Sequence, residues 1–90
     1  MRFGLRLSPL AEKQFAGFDE KLRLRVVEKI KQFLENEIEP IKLEGNFKGH
    51  YKLRVGDYRV VYIFDETNTI MLVRRIGHRS RVYQDLARDV

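Results

Sequence analysis

The sequence predicts an α+β domain, in which a mostly antiparallel four-stranded sheet carries two N-terminal helices on one face. Apolar residues recur with helical spacing between about residues 9 and 35, and they alternate with polar residues, interrupted by tight-turn sequences, between about residues 50 and 76. The predicted order is strand, helix, helix and three strands, which is typical of the α+β class. A polar tail at residues 84–90 is either a short helix or loose. Ninety residues suffice for one core, so we expect residues 1–90 to form a single domain.

The N-terminal third begins with a strand and continues as two helices. Apolar side chains at every second position of residues 3–7 predict a half-buried strand. Ser8 and Pro9 then start a short helix, because a serine oxygen can cap backbone N–H groups and proline suits the first helical position. Asp19 caps a second helix, which is predicted at about residues 20–35.

A β-hairpin is predicted in the run YKLRVGDYRVVY, residues 51–62, which follows a connector at residues 36–49. Gly56 and Asp57 suit a two-residue type II′ turn, because glycine readily adopts the positive φ of its first position. The side chains predicted to face the helices are then Tyr51, Leu53, Val55, Tyr58, Val60 and Tyr62.

A last strand, at about residues 69–76, follows a turn at residues 65–68. With that four-residue turn, the pairs predicted across the last two strands are Val61 with Leu72 and Arg59 with Arg74. The sheet face away from the helices would carry apolar side chains as well as cations, so we expect a partner to cover part of it.

The hairpin turn also places Arg54 directly opposite Arg59, with Lys52 on the same face and no Asp or Glu between them. Like charges that face each other across a sheet repel. The sequence therefore favours an anion-binding face. A solvated strand face with outward-pointing cations is the alternative.

Positive charge is concentrated in the C-terminal half of the chain. The net charge is +5, and residues 48–83 hold eight Lys and Arg against three acids. A localised basic surface attracts polyanions, nucleic acid above all. The absence of cysteine excludes disulfides and thiolate metal sites. No apolar run has the length of a signal peptide or a membrane span, so we expect a cytoplasmic protein with no membrane partner.

The common catalytic motifs are absent, which leaves two histidines as candidates for proton transfer. His50 lies alone near the connector and is expected to be structural or exposed. His78 lies beside Arg79 at the end of the last strand, close to the predicted position of the hairpin cations. Tyr83 either stacks on a nucleobase or merely packs the tail.

Two segments, YKLRVGDYRVVY and IGHRSRVY, resemble the RelE branch of the RelE/ParE superfamily of toxins from toxin–antitoxin operons. The resemblance covers nearly the whole chain, and the ending GHRxxVY favours RelE over ParE. It implies a ribosome-dependent endoribonuclease that cuts mRNA in the decoding site without a metal or other cofactor, leaving a 2′,3′-cyclic phosphate and a 5′-hydroxyl. It also implies a RelB-like antitoxin whose acidic segment wraps the sheet and covers the basic face.

Carried over position by position, the resemblance places the active site at Lys52, Arg54, Arg59, Arg79 and Tyr83. Arg59 and Arg79 would hold the scissile phosphate and stabilise its transition state. Lys52 would activate the 2′-hydroxyl or stabilise its oxyanion, and Tyr83 would stack on the nucleotide. His78 would act as an acid or base, or else contact phosphate or ribosomal RNA. The other residues expected to bind RNA are Lys48, Arg74, Arg75 and Arg81.

Two other functions remain open. A ParE-like toxin would poison DNA gyrase without cutting RNA. A non-catalytic RNA-binding module would bind RNA with a steep salt dependence and neither cut nor poison.

Overall fold

The structure, a computed structural model, describes residues 4–35, 38–65, 67 and 69–88, which fold around a five-stranded sheet. Its elements in chain order are β1 Gly4–Leu7, α1 Pro9–Ala16, α2 Glu20–Leu34, β2 Ile41–Lys42, β3 Tyr51–Val55, β4 Tyr58–Asp65, β5 Ile70–His78 and α3 Val82–Ala87. A 3₁₀ turn, Gly45–Phe47, lies between β2 and β3. The strands lie in the order β1-β5-β4-β3-β2. Only β1 and β5 run parallel among these neighbours.

The predicted number of strands is wrong, because β2 adds a fifth strand at the edge of the sheet. Ile41 and Lys42 pair with Lys52 and Tyr51 of β3. Two residues that directly follow a proline are too few to show an alternating pattern. The C-terminal helix, α3, begins before the tail predicted at residues 84–90. Residue 3 of the predicted first strand, and residues 66 and 68 of the predicted turn, lie outside the described residues.

Both predicted helix starts are confirmed by their capping hydrogen bonds. Ser8 Oγ accepts the N–H of Ala11 at 3.1 Å, with Pro9 in the first helical position. Asp19 Oδ1 accepts the N–H of Leu22 at 2.8 Å. Ser8 Oγ also donates to the carbonyl of Arg74 at 2.9 Å, so the cap fastens α1 to β5.

The main core lies between the sheet and the helices α1 and α2. Val26, Ile30 and Phe33 of α2 are buried against the sheet, where Tyr62 and Met71 are fully buried. The residues predicted to face the helices all belong to this core or pack against it: Tyr51, Leu53, Val55, Tyr58, Val60 and Tyr62. No helix in the described ranges is long and apolar enough to cross a membrane.

A second, smaller core lies on the opposite face of the sheet, beneath α3. Val61 of β4 is fully buried there against Val82 and Leu86, with Leu43 and Phe47 at its margin. The chain's own C-terminal helix therefore covers part of the face that the sequence predicts to be open. This cover explains how Val61 can be apolar beside cations.

The predicted hairpin register is confirmed, whereas the register of the last two strands is wrong. Arg54 pairs with Arg59, and Val55 with Tyr58. Across β4 and β5, however, Val61 pairs with Arg75 and Arg59 with Gly77. The loop lies one residue later than predicted, and a β-bulge between Val61 and Tyr62 inserts an extra residue, Arg74, in β5.

The hydroxyl of Tyr62 is expected to destabilise the fold. Tyr62 is 0% exposed, and its hydroxyl has no hydrogen-bond partner among the described residues. An unpaired buried polar group is costly, so Tyr62→Phe should raise the free energy of unfolding by about 1 kcal/mol at neutral pH. Burial, with a smaller contribution from Tyr51, holds the pKa of the Tyr62 phenol well above its ordinary value.

The raised pKa of Tyr62 also predicts how stability changes with pH. Above about pH 10 the unfolded chain ionises this phenol while the folded chain keeps it neutral, so stability falls as pH rises. Urea titrations at pH 7 and pH 10.5 should show a smaller loss in Tyr62→Phe than in wild type. Tyr51→Phe, which changes a half-buried neighbour, is the control. A Tyr62→Phe variant less stable than wild type at pH 7 would contradict this account.

Candidate RNA-binding and catalytic site

Three hairpin cations share the face of the sheet that points away from α1 and α2. Lys52, Arg54 and Arg59 alternate with residues whose side chains enter the main core. We call these three residues the cationic face. Arg54 and Arg59 are directly opposed, which places their Cβ atoms about 5 Å apart. Arg54 is exposed, whereas Lys52 and Arg59 are half-buried.

The hairpin turn holds Arg59 and Arg79 through three consecutive residues. Arg59 Nη1 donates to the carbonyls of Gly56 at 2.9 Å and Tyr58 at 2.8 Å. The backbone N–H of Arg79 donates to the carbonyl of Asp57 at 2.8 Å. The two arginines therefore lie beside the same turn, although they are 20 positions apart in the chain.

Asp57 is also the nearest counter-charge to Arg79 in the described part of the chain. Arg79 Nε lies 3.9 Å from Asp57 Oδ1, and the two side chains are 62% and 70% exposed. An ion pair this exposed contributes no more than about 1 kcal/mol. A phosphate group can therefore replace the carboxylate at little cost.

Tyr83 lies on α3 and packs at the margin of the second core, whose Val61 pairs with Lys52 of the cationic face. Its ring is half-buried and lies 6.1 Å, centroid to centroid, from the ring of Phe47. This contact gives the packing interpretation a concrete partner, while the exposed part of the ring remains available for a nucleobase. The sequence did not identify Phe47, because its position relative to Tyr83 depends on how the connector folds.

The four other predicted RNA-binding residues lie in different surroundings. Lys48 and Arg81 are exposed. Arg74 Nη1 lies 3.2 Å from His50 Nε2, so His50 is a structural partner of an arginine, in keeping with its predicted role.

Arg75 differs from the others because it is only 3% exposed. Its Nη1 donates to the carbonyl of Arg74 at 2.7 Å. Burial, and then the charge of Arg74, lower the pKa of its guanidinium, while Asp85 of α3 acts in the opposite direction. A side chain enclosed in this way does not face solvent, so the predicted RNA contact of Arg75 is not supported by its position.

His78 is not brought together with the cationic face. It pairs with Tyr58, whose ring packs on the helix side, and the two rings meet edge to face at 5.5 Å. Gly77, not His78, lies opposite Arg59. The β-bulge explains the difference, since one inserted residue sends every later side chain of β5 to the other face. Among the described residues, no three histidine or acidic side chains form a group that could hold a metal ion.

A family model described as the ParE toxin of the type II toxin–antitoxin system parDE matches residues 5–83. Curated protein sequences give no match.

Solved structures of related toxins share the fold. A mutant of the RelE toxin from E. coli in the free state is 27% identical, with a TM-score of 0.78, and the match covers 100% of this chain and 99% of that one. A chain of the RelBE2 toxin–antitoxin complex from Mycobacterium tuberculosis is 21% identical, with a TM-score of 0.77 and coverage of 88% and 100%. The YoeB dimer from Staphylococcus aureus is 25% identical, with a TM-score of 0.70 and coverage of 87% and 98%.

Proposed function

Because the chain belongs to the family of the ParE toxin of type II toxin–antitoxin systems, we propose that it is a ribosome-dependent endoribonuclease that cuts mRNA in the decoding site. The observation that carries this proposal is the placement of Arg59 and Arg79 on one hairpin turn, next to the opposed Arg54. The cations repel one another in the free protein, and a phosphate bound between them relieves this repulsion. Such a preorganised group of donors suits phosphoryl transfer.

In the proposed reaction the 2′-hydroxyl of the nucleotide before the cut attacks the adjacent phosphorus. The new bond closes a 2′,3′-cyclic phosphate, and the bond to the 5′-oxygen of the next nucleotide breaks, leaving a 5′-hydroxyl once that oxygen takes a proton from water. Arg59 and Arg79 hold the non-bridging oxygens, where negative charge increases in the transition state. Lys52, half-buried on the same face, stabilises the 2′-oxyanion with its ammonium group, and the proton of the 2′-hydroxyl passes to water.

The remaining site residues bind and orient RNA. Arg54 is exposed and always charged, so it holds phosphate and does not transfer protons. The exposed part of the Tyr83 ring stacks on a base at the cut. Lys48 and Arg81, both exposed, extend the electrostatic contact to the RNA backbone, and Arg74 contributes from beside His50.

We further propose an antitoxin that neutralises the protein by contact with two surfaces. An acidic segment would cover the cationic face. An apolar segment would fill a groove of about 580 Å³ between β1 and the helices, which is lined by Leu5, Leu7, Val27 and Leu34 among others. Leu5 is 45% and Val27 50% exposed, so this groove is a costly surface to leave in water. Several similar solved structures are complexes of a toxin with its antitoxin.

The test is a comparison of two targets with purified protein. Programmed ribosomes carrying end-labelled mRNA should yield cut mRNA, whereas reactions of DNA gyrase with supercoiled DNA should yield no trapped cleavage complexes. The gyrase target is the second candidate, because the matching family model is described as a ParE toxin. Trapped gyrase–DNA complexes with intact mRNA would favour it. RNA binding with neither outcome would favour a non-catalytic module.

A further inference from the structure

The segment that joins β5 to α3 is a β-turn closed by the imidazole of His78. The N–H of Arg81 donates to the carbonyl of His78 at 2.9 Å. The backbone N–H of Ser80 donates to His78 Nδ1 at 3.2 Å, and Ser80 Oγ lies 2.8 Å from the same nitrogen. A backbone N–H only donates, so Nδ1 must present its lone pair here and carry no proton.

This arrangement matches a turn usually made by asparagine or aspartate. In an Asx-turn the side-chain oxygen of the first residue accepts the backbone N–H two positions on, which fixes the turn. His78 occupies that first position, and its Nδ1 takes the place of the oxygen. The neutral ring then carries its proton on Nε2, so neither ring nitrogen is free to act as a base.

Arg79 is the second residue of this turn. It lies between His78 and Ser80, and its own N–H donates to the carbonyl of Asp57 at the hairpin tip. The His78 ring itself packs against Tyr58, on the side of the sheet away from the cationic face. His78 therefore influences the site by fixing the backbone position of Arg79, and its ring makes no direct contact with the cationic face.

We propose that His78 is a positioning residue for Arg79, whose neutral Nδ1 holds the turn that places Arg79 beside the hairpin tip. This role rests on the proposed function, in which Arg79 holds the scissile phosphate. It replaces a direct role of His78 in proton transfer.

Three substitutions at His78 separate this role from acid–base catalysis. Asparagine places an oxygen where Nδ1 lies, glutamine places its amide near Nε2, and alanine removes both. His78→Asn should keep mRNA cleavage on ribosomes within about threefold of wild type, whereas His78→Gln and His78→Ala should lose about 10-fold to 100-fold, as expected when a catalytic group is displaced. Equal, severe losses in all three variants would overturn the proposal.

A second measurement needs no ribosome and tests the positioning itself. In NMR titrations with inorganic phosphate, the Arg79 Nε–H signal should respond with the same affinity in wild type and His78→Asn, and more weakly in His78→Gln. The Asn and Gln variants decide the result if His78→Ala does not fold. Phosphate affinity unchanged in His78→Gln would overturn the proposal. If wild type cuts no mRNA while this pattern holds, the proposed function fails and the positioning role stands.

Discussion

Alanine in place of Arg79 or Arg59 is expected to slow mRNA cleavage on programmed ribosomes by about 100-fold to 1,000-fold, the typical cost of one preorganised donor to a transition-state oxyanion. The Arg59 guanidinium is held at the hairpin tip before substrate binds by the carbonyls of Gly56 and Tyr58, and the backbone of Arg79 is fixed there by the carbonyl of Asp57. Both donors therefore start at the hairpin tip, and little reorganisation is needed in the transition state. Single-turnover rates with saturating ribosomes measure their contribution directly.

Two control variants distinguish the loss of a specific donor from a general loss of positive charge, and the unfolding temperature of each variant shows whether it is folded. Lys21→Ala removes the same unit of charge from an exposed position on α2 and should leave the rate unchanged. Arg59→Lys keeps the charge but loses the planar group that bridges two carbonyls, so its rate should fall between wild type and Arg59→Ala. If Arg79→Ala unfolds at the wild-type temperature and keeps full activity, Arg79 does not contribute to the reaction.

The second large effect is expected at Gly56, whose φ of +59° lies in a region that side chains rarely adopt. Gly56→Ala should lower the free energy of unfolding by about 1–3 kcal/mol through backbone strain. An alanine Cβ would also lie 2.5 Å from Arg25 Nη2, although that side chain can move. Because the turn carries both Arg59 and Arg79, cleavage should fall by more than the fraction of unfolded protein accounts for.

Gly45→Ala is the matched control for Gly56→Ala. Gly45 has a similar φ of +67°, and a Cβ there would meet nothing within 4 Å. Both variants should show comparable losses in urea unfolding, but Gly45→Ala should cleave mRNA at the wild-type rate under conditions where both are folded. Equal losses of cleavage in the two variants would mean that the hairpin tip has no special role.

The parts of the fold that the sequence predicts correctly are specified by short-range chemistry. Ser8 and Asp19 cap their helices because the hydrogen bonds close within three residues. The Gly56–Asp57 turn sets the hairpin register because a two-residue loop leaves no other pairing. Strand β2 is missed because its two residues are defined by pairing with β3 and not by a pattern of their own.

The parts of the site that the sequence does not predict follow from a single inserted residue. The bulge at Arg74 arises from pairing between β4 and β5, and it leaves no local signal such as glycine at that position. Without the bulge, His78 would share the face of Arg59. With it, His78 turns toward Tyr58 and Arg75 is enclosed under α3. Adjacency in sequence to Arg79 therefore does not predict the face of the sheet on which His78 lies.

The most direct test of the central claim is the fate of end-labelled mRNA on programmed ribosomes, with wild type and Arg79→Ala compared in the same experiment. The account predicts cleavage by wild type at a codon in the decoding site, with a 2′,3′-cyclic phosphate on the upstream fragment, and almost none with Arg79→Ala. Intact mRNA with wild-type protein, in a preparation that traps cleaved complexes of gyrase and DNA, would contradict it.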